Sequence, residues 1–121
     1  MARTEEQMKQ FNEVTPHNGY TNQPTWSVML WINNDEALQG EWLDRAKEIE
    51  EQTEPGEILT AYEESVRDLE RELKDWLERE IDEALQPSLL SDLLIWSIAY
   101  VDFQQLAEHL IDDAKEIKAN E

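Results

Sequence analysis

A chain of 121 residues with 29 acidic and 10 basic side chains carries a formal charge of -19. Charge of that size repels nucleic acid and anionic membranes and attracts basic surfaces. The chain has no Cys, which excludes disulfides, thiol catalysis and Cys-based zinc sites, and its length sets one domain.

Residues 1–15 are polar and aperiodic, which predicts a flexible arm or a short weak helix. They hold no apolar run, so no signal peptide is expected and the location is cytoplasmic. Thr15-Pro16-His17-Asn18-Gly19 is turn chemistry, and residues 16–121 form a single helical domain. Asn22 or Gln23 near the cap and Pro24 in the first turn start a first helix. Its run from Trp26 to Ile32 is apolar nearly all round, which predicts a buried position. A buried strand is the rival for those seven residues, and the Pro-led start favours helix.

Asn34 is the expected cap of a second helix, with acids in its first turn. Leu38, Trp42, Leu43, Ala46 and Ile49 make that helix amphipathic to about Gln52, before Glu54-Pro55-Gly56 ends it. Leu59, Tyr62, Val66, Leu69, Leu73 and Trp76 step by threes and fours and predict a third helix over 57–85, on the order of 40 Å long. Gln86-Pro87 stops it. Ser88 caps a fourth helix, whose Leu89, Leu90, Leu93, Leu94, Ile95 and Trp96 leave almost no polar face. Asp102 with Gln105 matches a capping box, and Phe103, Leu106, Ala107, Leu110, Ile111, Ala114 and Ile117 stripe a fifth helix. The fold class is all-α: a compact bundle of about five helices, the first and fourth most buried.

The run from Asn18 to Glu36, with Gly19-Tyr20, Thr25-Trp26, Leu30-Trp31 and Asn34-Asp35-Glu36, resembles a family of small uncharacterised proteins carried by tailed phages and other mobile elements. The stretch Val101-Asp102-Phe103-Gln104-Gln105-Leu106-Ala107-Glu108-His109-Leu110 is similar to that family's ending, with Phe103 where a Trp is common. Roughly residues 50–90 carry no specific match. The resemblance implies an accessory gene of phage type, a class that often disarms host defences, and it brings no catalytic residues with it.

Enzymatic motifs are absent. No phosphate loop, Gly-flanked nucleophile or dinucleotide fingerprint occurs, and three Gly leave little room for one. His109 stands at metal-compatible steps from Asp112 and Asp113, but an exposed His near acids explains it better than a metal. The paired acids fall on polar helix faces, where solvated charge is the ordinary reading. No enzyme activity, cofactor or metal is therefore expected. The five Trp belong mostly to the core, with Trp42 and Trp76 the two most able to reach an interface.

Acidic proteins can compete with DNA for a basic cleft. The predicted long helix holds eleven acids but also Arg67, Arg71, Lys74 and Arg79, a net -7, against over twenty charges on roughly 40 Å of duplex. Glu63 with Arg67, Glu70 with Lys74 and Asp75 with Arg79 are spaced as helix-surface ion pairs. A DNA-like face would need carboxylates of the second, third and fifth helices to converge, or a homodimer to lengthen it. Halophilic adaptation is a weaker account, since Glu outnumbers Asp about two to one.

The leading expectation is a non-enzymatic phage-type accessory protein in the host cytoplasm. It binds a basic DNA-handling host protein, as a DNA mimic that inhibits restriction or CRISPR defence, and touches neither nucleic acid nor membrane. Glu63, Glu64, Asp68, Glu72, Asp75 and Glu78 are its partner-binding candidates by charge. Asn34, Asp35 and Glu36 join them as a corner between two apolar helices. The alternative is a helical interaction or assembly module with an apolar, salt-tolerant interface, whose acidity serves solubility.

Overall fold

Asn18 and Gly19 open the described chain in a tight turn, both in left-handed backbone conformations (φ 49° and 85°) that Asn and Gly tolerate best. The computed structural model describes residues 18–120, so the arm expected over 1–15 lies outside them. Five α-helices follow among the described residues: α1 Gln23–Asn34, α2 Glu36–Gln52, α3 Ala61–Ala84, α4 Leu89–Ile98 and α5 Phe103–Ala119.

Local chemistry sets each boundary. Asn22 is extended and its side chain accepts from the Thr25 amide, with Pro24 in the first turn of α1. The cap of α2 is Asp35 and not the expected Asn34, which is still helical as the last residue of α1. The Asp35 carboxylate accepts from the Leu38 amide at 3.0 Å, and its charge suits the positive end of the helix dipole. The third helix starts at Ala61, four residues later than the periodicity predicts. Thr60 and Glu63 form a reciprocal capping box there. The Gly56 amide bonds the Leu59 carbonyl at 3.0 Å, which folds 57–59 into a bend. Leu85 is extended ahead of Gln86-Pro87, and Ser88 with Ser91 caps α4 reciprocally.

α2, α3 and α5 pack on one another and enclose the core. Val66, Leu69 and Leu73 of α3 meet Trp42, Ala46 and Ile49 of α2, and Phe103, Leu106, Ala107, Leu110, Ile111 and Ala114 of α5. The 3–4 stepping of these residues in the sequence places each set on one helix face. Trp42 and Trp76 close the α2–α3 seam edge to face, ring centroids 5.5 Å apart.

The expectation that the first and fourth helices are the most buried is overturned. α1 buries Thr25, Met29 and Ile32 against its neighbours, while Trp31 is 74% exposed. α4 lies mainly against α3 and buries only Ser91 and Ile98. The physical reason is supply. A helix apolar on all sides needs a neighbour on all sides, and a chain of this size spends its other helices covering α3 and α5. Trp31 and Trp96 are thus the most exposed indoles of the described chain, and Trp42 belongs to the core.

Candidate functional site

The two recognisable sequence segments meet in space. The Asn22 side-chain amide donates to the Tyr100 carbonyl at 2.6 Å, while its carbonyl oxygen accepts from the Thr25 amide at 2.9 Å and from the Thr25 hydroxyl. The Asp102 amide donates to Thr25 Oγ1 at 2.8 Å. Thr21 donates its hydroxyl to Asp102 and its amide to Gln105 Oε1. The capping box expected of Asp102 and Gln105 is therefore half made. The Asp102 carboxylate accepts from the Gln105 amide at 3.1 Å, but the Gln105 side chain turns to Thr21 and to the Gly19 carbonyl. The Asp102 amide it would have satisfied is already taken by Thr25. Among the described residues no buried side-chain polar atom lacks a partner. A network this saturated fixes geometry: it ties the start of α1 to the start of α5 and pins the end of α4 through Tyr100.

Along α3 the candidates Glu64, Asp68, Glu72, Asp75 and Glu78 step by 4, 4, 3 and 3 on one side of the helix, and Glu63 stands apart from them. Glu72, Asp75 and Glu78 line a groove with Trp42, Arg79 and Asp82 between α2 and α3. Glu63 lies nine residues from Glu72, half a turn around α3, and lines a cleft on the α5 side with Tyr62, Arg67, Glu70 and Glu108. Three helices in mutual contact turn their outer faces three ways, so only adjacent pairs share carboxylates. Several acids are also engaged. Arg45 grips Glu72 in a two-pronged pair (2.8 and 2.9 Å) and reaches Glu48 at 3.0 Å, which raises the guanidinium pKa. The Glu63 carboxylate turns back to Thr60, and Arg79 donates to the Asp75 backbone carbonyl. Glu64 and Asp68 are half-buried. At the corner, Asp35 is spent on its cap, while Asn34 and Glu36 are exposed.

Titration behaviour follows packing. Burial, then a hydrogen bond and charge from Asp112 and charge from Glu108, push the Tyr62 hydroxyl up to about 12. Lys115 sits 5.0 Å from that ring. Tyr20 stacks 4.8 Å from His109, and burial followed by Asp113 raises its hydroxyl. Burial raises the Asp113 carboxyl, His109 lowers it, and Glu116 and Asp112 raise it further. Among the described residues no group of three His, Asp or Glu is placed to hold a metal.

What sequence reasoning missed is the outer edge of α4. Leu89, Leu93, Trp96 and, just past the helix, Tyr100 step by 4, 3 and 4, a spacing that forms a helix-pairing seam. They lie opposite the buried Ser91–Ile98 edge. Leu89 is 73% and Trp96 72% exposed, with Leu90 beside them at 64%. The available signal was a conflict of supply: two all-apolar helices claimed the centre of a bundle with a modest core.

Among the described residues, fold and surface together define a small acidic all-α protein whose α4 leaves an apolar edge uncovered. Residues 13–119 match the family of unknown function DUF7249, and the chain belongs to that family. No curated protein and no solved structure matches it. Among the described residues no helix is long and apolar enough to cross a membrane.

Proposed function

We propose that this chain is a non-enzymatic interaction module that docks the outer edge of α4 on a partner protein. The observation that carries the reading is the row of large apolar side chains left open on α4. It exceeds the patch a soluble monomer ordinarily shows. The surrounding acidity keeps such a surface in solution. An origin in a phage or mobile element, and action in a host cytoplasm, belong to the same proposal and rest on the two sequence segments.

A second reading is favoured by the α2–α3 groove, where Glu72, Asp75, Glu78 and Asp82 gather. It binds a basic DNA-handling host protein there, in the manner of a DNA-mimic inhibitor of restriction or CRISPR defence. Arg79 in the groove and Arg45 on Glu72 dilute its charge, which ranks it below the apolar edge.

Capture from host lysate at about 0.1 and 0.5 M salt separates the two. With a differently tagged copy of the chain added to the lysate, so that either occupant of α4 is present, the expected result is a partner retained at high salt, lost with Leu93→Glu/Trp96→Glu, and kept with Asp75→Lys/Glu78→Lys/Asp82→Lys. The reverse pattern, with binding lost at high salt and with the Lys variant alone, would transfer the function to the acidic groove.

A further inference from the structure

We infer that the partner seated on the α4 edge is a second copy of this chain, joined in an isologous dimer. The inference rests on the docking role proposed for α4 and adds the identity of the occupant.

Three observations carry it. The first is charge. Residues 86–101 hold one charged side chain, Asp92, so -18 of the -19 lies elsewhere on the chain. Nothing on this edge offers a Lys or Arg of a basic partner a row of anions. A second copy brings only its own Asp92, which flanks the seam between Leu89 and Trp96 and stays in water, so no unpaired ion is buried.

The second is area. Leu89, Leu93, Trp96 and Tyr100, with Leu90 beside them, expose on the order of 600 Å² of mainly apolar surface, most of what each partner of a standard specific interface contributes. The third is pattern. The 4-3-4 seam of Leu89, Leu93, Trp96 and Tyr100 is self-complementary when two α4 helices meet across a two-fold axis near mid-helix. Leu93 then lies close to its own copy, with Trp96 covering the flank.

Like charge opposes the pairing, and the fold limits that opposition. The acidic α2–α3 groove belongs to the three-helix body, and α4, which packs on α3, adds a layer about 10 Å thick between α3 and the contact plane. Salt screens charge over about 8 Å at physiological strength. Association therefore tightens as salt rises, the opposite of an acidic face binding a basic partner.

Sedimentation of the full chain from about 1 μM to 0.5 mM, at low and high salt, reads this directly. The expected result is a monomer–dimer equilibrium that strengthens with salt and weakens at least about 100-fold in Leu93→Glu/Trp96→Glu. Because the chain has no Cys, Leu93→Cys serves as an independent probe. Under mild oxidant it links two chains, while Asp75→Cys on α3 does not. A chain monomeric at every concentration, a dimer that survives the Glu pair, or equal linking at both Cys positions would each overturn the second copy. If the Glu pair fails to fold, the Cys comparison decides. A monomer that still captures another protein through α4 would leave the docking role standing and remove only the self-pairing.

Discussion

Trp42→Ala is expected to cost about 4 kcal/mol, the range for deleting a buried indole. Trp42 is 8% exposed, packs edge to face on Trp76 and seals the seam between α2 and α3. Removing it leaves a cavity bounded by helices that also pack on α5 and therefore have little freedom to close it. Trp31→Ala removes an indole of the same size from open solvent and should cost under about 1 kcal/mol. Chemical denaturation of the two variants checks the pair. Similar losses would mean that exposure does not rank the Trp residues in solution.

Asn22→Ala is expected to cost about 3 kcal/mol, more than a helix cap alone provides. The side chain caps α1 through the Thr25 amide and also donates to the Tyr100 carbonyl from 78 positions away. Deleting it strands a buried hydroxyl, an amide and a carbonyl together. Asn22→Asp separates the two duties. It keeps the acceptor for Thr25 but sets a carboxylate against the Tyr100 carbonyl, so it should not restore stability. Full rescue by Asp, measured as the denaturation midpoint, would reduce the role of Asn22 to capping.

The helical class, the helix order and most of the core stripes were legible because they depend on local spacing and caps. Val66, Leu69 and Leu73, or Leu106, Leu110 and Ile111, declare one face by their steps alone. What the spacing could not carry was how many neighbours each helix receives. α4 reads as interior because every side is apolar, yet only Ser91 and Ile98 are covered. The polar residues of the two recognisable segments were legible as caps, in Asn22 and Asp102. Their mutual contact through Thr25 and Tyr100 was not, because it joins positions far apart in the chain. The α3 acids were legible as charge and illegible as direction. Nine residues set Glu63 half a turn from Glu72, but which of α2 and α5 each one faces depends on where those helices sit around α3.

α4 reads as core in the sequence and is surface in the single chain. Urea unfolding of Leu93→Glu/Trp96→Glu at a concentration low enough to be monomeric tests it most directly. Stability within about 0.5 kcal/mol of the parent chain is expected, as for exposed positions. A loss of about 4 kcal/mol or more, the cost of placing two charges in a packed interior, would contradict it and return α4 to the core.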